Sequence, residues 1–219
     1  MKRLTNIMAL ALICAAMACN DSAKTDSIES KADSSTAATA STTDETPTAK
    51  DSAAMMKAWM DYMTPGSVHA LLAKDNGTWD ADITMWMTPD APPQKSTGTC
   101  TFKMIMGGRY QQGNFKGSFN GMPFEGVSTT GYDNAKKAIV GTWIDNMGTG
   151  IMNMEGTYDS ANNVINLSGK SIDPTTGKDC TMRQVMKRVD ENTIHEEMYA
   201  KYQGGKEYKS MEMTYKRKK

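Results

Sequence analysis

Four pairs of methionines stand two residues apart: Met85 and Met87, Met104 and Met106, Met152 and Met154, Met211 and Met213. In a β-strand that spacing puts both thioethers on one face. Thioethers are soft ligands suited to Cu(I). They also line an apolar interior well, because methionine is flexible and adapts to irregular space. The chain has two histidines, His69 and His195. A Ser-His-Asp hydrolase needs a histidine positioned beside a nucleophile. Neither histidine has a nucleophile elbow next to it, so no catalytic residue is assigned and the reading leans away from an enzyme. The polar groups able to face a cavity are Arg109, Glu125, Trp143, Asp145 and Arg183. Arginine and carboxylate groups of this kind either orient a ligand or satisfy one another. Their facing is left open by the sequence.

Of four cysteines, Cys14 lies in an N-terminal apolar stretch and Cys19 just after it. Cys100 and Cys180 fall on what read as the second and eighth strands. Around a closed barrel those strands are four apart by the shorter route. At about 4.8 Å per strand plus tilt, their separation is on the order of 15–20 Å. A disulfide needs Cα atoms within about 7 Å, so the pair is expected to be unbridged.

The elements that must position these residues follow a regular rhythm. Between Gly107 and Gly150, turn residues recur about every ten positions, and β-forming runs lie between them. Ten strands are predicted, at 77–88, 96–106, 109–118, 122–132, 136–146, 149–159, 163–171, 178–190, 193–202 and 205–217. Asn120-Gly121 is a strong hairpin signal. Cys100, Phe102, Met104 and Met106 alternate with Thr99, Thr101, Lys103 and Ile105, which gives one apolar face. Nine short connections make an up-and-down meander, and closure removes its two edges. The expected fold is therefore a single all-β, antiparallel up-and-down barrel of about ten strands, spanning 77–219.

Residues 53–76 are expected to close one end of this barrel with short helices. Met56, Trp59, Met60 and Met63 recur at helical spacing, Pro65-Gly66 stops the first helix, and Ser67 starts a second one carrying Val68, Leu71 and Leu72. Residues 1–18 read as a lipoprotein signal peptide: Lys2 and Arg3 precede an apolar core too short to span a bilayer. Ala15-Ala16-Met17-Ala18 before Cys19 resembles a lipobox, with Cys19 as the site of lipid attachment. Residues 19–52 are a tether rich in Ser, Thr, Ala and Asp, without enough apolar surface to offset chain entropy. The 25 basic and 25 acidic side chains balance, which argues against a nucleic-acid binder, since such a protein normally shows a basic face.

Gly77-Thr78-Trp79 at the start of the first strand and Arg217 at the end of the last resemble the lipocalin and calycin arrangement. There, a tryptophan at the barrel's start packs under a basic residue from the final strand. Further motifs appear in order: Thr64-Pro65-Gly66-Ser67-Val68-His69, Gly107-Gly108-Arg109-Tyr110, Gly121-Met-Pro-Phe-Glu-Gly126, Gly131-Tyr-Asp-Asn134, Trp143-Ile-Asp145 and Asp173-Pro-Thr-Thr-Gly-Lys178. Glu197-Met-Tyr199, Gly205-Lys-Glu207 and Met211-Glu212 precede Tyr215-Lys-Arg217. Together these resemble the bacterial domain of unknown function 1579 family, over about residues 55–219. The resemblance implies a calycin-like barrel in a secreted or periplasmic setting, a Trp79–Arg217 closure, and no established activity. The leader and tether resemble those of Bacteroidota-type envelope lipoproteins.

The function expected on these grounds is that of a cell-envelope protein, held to the membrane through acylated Cys19, whose barrel binds a small apolar or amphipathic ligand. No cofactor and no metal are assigned. A Cu(I)-binding methionine-rich protein and a non-binding structural or interaction module are the alternatives.

Overall fold

The computed structural model describes residues 49–219. The expected signal peptide, Cys19 and most of the expected tether lie outside the described residues. Two helices, α1 (Ala49–Met63) and α2 (Ser67–Ala73), precede ten strands. The strands are β1 (Gly77–Met85), β2 (Gln94–Ile105), β3 (Tyr110–Phe119), β4 (Met122–Asp133), β5 (Ala138–Asp145), β6 (Met152–Asp159), β7 (Val164–Ile172), β8 (Asp179–Asp190), β9 (Thr193–Tyr202) and β10 (Tyr208–Arg217). Each pairs antiparallel with its sequence neighbours, and β1 pairs with β10 to close the barrel.

Local chemistry explains the turns. Asn120 and Gly121 both take positive φ, 49° and 78°, as a type I′ hairpin requires. Past the end of β5, the Asn146 amide donates to the Glu125 carbonyl, and side-chain bonds join it in holding the start of the longer β5–β6 loop. Asn146 donates to the Pro123 carbonyl and accepts from the Glu125 amide, while Asp145 accepts from the Met147 amide. Met106 leaves the face it was expected to share with Cys100, Phe102 and Met104. It sits in a 3-10 turn at Met106–Gly108 with φ of 50°, its side chain in solvent.

One end of the barrel is plugged by α2. Leu72 packs inside against Ile139, Ile165 and Leu167. The last carbonyls of a helix have no partner within it, and here the barrel supplies the donors. Gln111 Nε2 reaches the Leu72 carbonyl at 2.7 Å, and Arg217 reaches the Lys74 and Asn76 carbonyls at 2.7 and 2.6 Å. Arg188 forks onto the Asp75 carboxylate at 2.6 Å, with side chains 11% and 3% exposed. Trp79 is fully buried beneath this end. Its Nε1 donates to the Asp75 carbonyl, and the Arg217 guanidinium lies 4.1 Å from its ring centre. Trp79 and Arg217 are register partners across the β1–β10 seam, and they form a stacked pair there.

The first helix differs from expectation. It starts at Ala49 rather than near residue 53, and its apolar face does not pack on the barrel: Met56 is 63% and Trp59 58% exposed. Its end is pinned by Asn134, whose amide donates to the Asp61, Tyr62 and Thr64 carbonyls. Plugging therefore falls to α2, which buries His69, Leu71 and Leu72 and packs Val68 against the same cluster as Leu72.

Candidate ligand-binding cavity

The strands' alternation sends every second side chain inward, and the inward set does not fill the barrel. A cavity of about 370 Å³ remains above the α2 plug, within the range of small-molecule sites. Its floor is Leu72, Ile165 and Leu167. Its middle is Ile83, Phe102, Phe115 and Tyr215, and its upper wall includes Met85, Met211, Phe119 and Met147. Eight methionines line it, contributed by β1, β6, β8, β9, β10 and the β5–β6 loop. Both members of the Met152/Met154 and Met211/Met213 pairs face inward, whereas Met87 and Met106 are exposed.

Few polar groups interrupt this wall. Glu196 from β9 is 3% exposed. Its Oε1 accepts from Gln184 Nε2 at 2.7 Å and its Oε2 from the Tyr215 hydroxyl at 3.3 Å. Burial pushes its carboxyl up to about 7, against the opposing pull of those two hydrogen bonds. Burial likewise raises the Tyr215 phenol well above its usual value and pushes the Cys100 thiol to about 12, the Glu196 charge adding to both. Cys100 and Cys180 are buried and free. On the same register row, Ser96 pairs with Ile83, Ile83 with Met213, and Met213 with Glu196. The Ser96 hydroxyl lines the cavity and, among the described residues, is the one buried side-chain oxygen or nitrogen without a hydrogen-bond partner.

The expected polar residues separate into two groups. Trp143 and Asp145 line the cavity near its mouth and are bonded to each other, indole Nε1 to Asp145 Oδ2 at 2.7 Å. The indole takes its place because Gly126 on β4 has no side chain; a Cβ there would collide with the ring. Arg109, Glu125 and Arg183 are not in the cavity wall. Arg109 stands in the turn before β3 and donates to the Met106 carbonyl. Glu125 pairs with Lys116 in solvent. Arg183 forks onto Glu207 and stacks 3.8 Å from the Tyr199 ring on the outside.

Sequence reading passed over Glu196, Gln184 and Ser96. Glu196 had a signal: it interrupts the apolar series Ile194, Met198, Ala200 at strand spacing. Its neighbours His195 and Glu197, polar and outward-facing, disguised which face was inside.

The histidines do other work. His69 Nδ1 accepts from the Gly66 amide at 3.0 Å at the start of α2, and its ring stands edge-on to Tyr132. Burial lowers its pKa, which keeps it neutral as that acceptor. His195, Glu197 and Glu212 come together outside the barrel, within 4.8 Å of one another. Lys209 already bridges the two carboxylates of that cluster, at 3.0 Å from Glu197 and 2.5 Å from Glu212, so one ammonium offsets part of its charge.

The sequence profile of a family described as "Protein of unknown function (DUF1579)" matches residues 64–217. The chain belongs to the DUF1579 family. No curated protein matches this DUF1579 member. Among solved structures it is similar to Rv2717c from M. tuberculosis, with a TM-score of 0.55 at 14% identity. The match covers 71% of this chain and 100% of that one. At that identity the likeness speaks for the fold: a DUF1579 barrel shares its architecture with that protein.

Proposed function

We propose that this protein is a lipid-anchored binding protein of the cell envelope that holds a small apolar or amphipathic molecule inside its barrel. The observation that carries the reading is the methionine- and aromatic-lined cavity of about 370 Å³. Flexible thioethers fit a guest of irregular shape, and burial of each CH₂ group contributes about 0.8 kcal/mol. The anchor rests on the sequence: small residues before Cys19 and a polar tether after it, in the manner of Bacteroidota-type lipoproteins. Trp143 and Asp145 are the proposed binding residues at the mouth. Arg109, Glu125 and Arg183 would act only on a partner at the outer surface.

Native mass spectrometry of the full-length protein purified from an envelope fraction tests both parts. An added acyl-glyceryl mass on Cys19 and an organic mass carried near one to one are expected. A bare chain that takes up nothing from lipid extracts sinks the binding reading, and an unmodified Cys19 sinks the anchor. The second reading, Cu(I) in the cavity, draws on the eight methionines in its lining. Stoichiometric copper in the same sample, with no organic mass, would favour it.

A further inference from the structure

We propose that the cavity selects a cationic amphiphile, an organic amine whose ammonium meets the Glu196 carboxylate while its apolar body lies against the methionine and aromatic wall. This rests on the ligand-binding reading and narrows it to a chemical class.

Among the described residues, the lining contains two carboxyl groups, Asp145 and Glu196, and no lysine, arginine or histidine. Asp145 is engaged by the Trp143 indole and the Met147 amide at the mouth. Glu196 lies deeper, and its two hydrogen-bond donors, Gln184 and Tyr215, are both neutral. A carboxylate has about four lone-pair sites, so two accepted bonds leave it free to receive a third partner from the cavity side. A buried charge without a counter-charge is costly. An ammonium supplies that charge. A fatty-acid carboxylate would instead face two groups of its own sign, and a wholly apolar guest would leave Glu196 unmatched. Ser96 offers a second polar contact, its hydroxyl free on the same row of the wall.

The preference is pH-dependent, with a sign fixed by Glu196. The titratable groups facing it are Tyr215 from β10 and Cys100 from β2; β8 contributes neutral Gln184 and Met186. Tyr215 and Cys100 are both raised by burial and stay neutral below pH 8. Ionisation of Glu196 near pH 7 therefore strengthens amine binding as pH rises, until the amine itself deprotonates at about 10.

The test is calorimetric titration of the full-length protein with n-decylamine, 1-decanol and decanoate at pH 5.5 and pH 8. Decylamine should bind at least about tenfold tighter than decanol at pH 8, equivalent to about 1.4 kcal/mol. The ratio should fall toward one at pH 5.5, and decanoate should bind most weakly at pH 8. In Glu196→Gln the amine-to-alcohol ratio should be near one at both pH values. If decanol binds but decylamine gains nothing at pH 8, or decanoate binds tightest, the amine inference is overturned while ligand binding stands. If none of the three binds, both fall. Should the variant not fold, the wild-type pH series alone separates these outcomes.

Discussion

Replacing Glu196 with glutamine should make the empty protein more stable, and increasingly so as pH rises. The carboxyl ionises ordinarily near 4.5 and in the folded barrel near 7. Each unit of displacement is worth 1.36 kcal/mol, so the whole shift corresponds to roughly 3 kcal/mol. The native state holds the proton longer than the unfolded chain. Folding therefore has its full Glu196 contribution below about pH 4.5 and loses it as pH climbs through 7. Glutamine keeps an acceptor for Gln184 and never ionises. The gap should be smallest at pH 5, under about 1 kcal/mol, and widen to about 1–3 kcal/mol in favour of the variant at pH 8, or several degrees in Tm for a domain this size. Urea unfolding of both proteins from pH 5 to pH 8 is the assay. His69 titrates in the same window with the opposite slope, since its folded pKa is lowered, but it is common to both chains and cancels in the difference. A difference that stays flat with pH, or that favours wild type as pH rises, would refute the reasoning.

Three other outcomes are expected. Arg188→Met should cost about 3–5 kcal/mol in urea unfolding, because it leaves the Asp75 carboxylate buried without its counter-charge. Gly126→Ala should displace the Trp143 indole from Asp145, change the near-ultraviolet circular dichroism and weaken 1-decanol uptake, since the new methyl occupies the ring's position. Cys100 should resist a thiol reagent such as dithionitrobenzoate at pH 8, reacting at least about a hundredfold slower than in urea, because burial holds the thiol near 12 and only the thiolate attacks.

The barrel was legible because its signals are local. Turn chemistry repeats at every hairpin, and period-two alternation is carried by runs such as Cys100, Phe102 and Met104. The Trp79–Arg217 stack was anticipated through the family resemblance, carried by Gly77-Thr78-Trp79 at the start of the first strand and Arg217 at the end of the last. Facing was harder. Trp143 and Asp145 point in while Arg109, Glu125 and Arg183 point out. On β4 and β8 both faces carry polar residues, so alternation alone does not separate them. The periodicity of α1 misled for a related reason. Met56, Trp59, Met60 and Met63 form an apolar stripe, but nothing in a stripe says what it will cover, and α2, not α1, packs against the barrel's core.

Glu196 also bears on whether the barrel is a filled structural module. Such a module would be more stable with methionine or glutamine at position 196, since either avoids an ionisable group in an apolar wall and glutamine retains the bond to Gln184. Its interior would also close over the space that eight flexible methionines leave open. The observed wall does neither: it keeps a cavity, and within it a carboxyl group with neutral partners only. A group that lowers the stability of the empty protein while offering a counter-charge to a guest is the pattern expected where binding and stability conflict. The two effects should therefore travel together. One substitution, Glu196→Gln, should raise the unfolding midpoint at pH 8 and abolish the preference for decylamine over decanol. A variant that did only the first would mark Glu196 as a structural burden without a ligand role. One that did only the second would mean that the carboxylate is already compensated in the empty barrel.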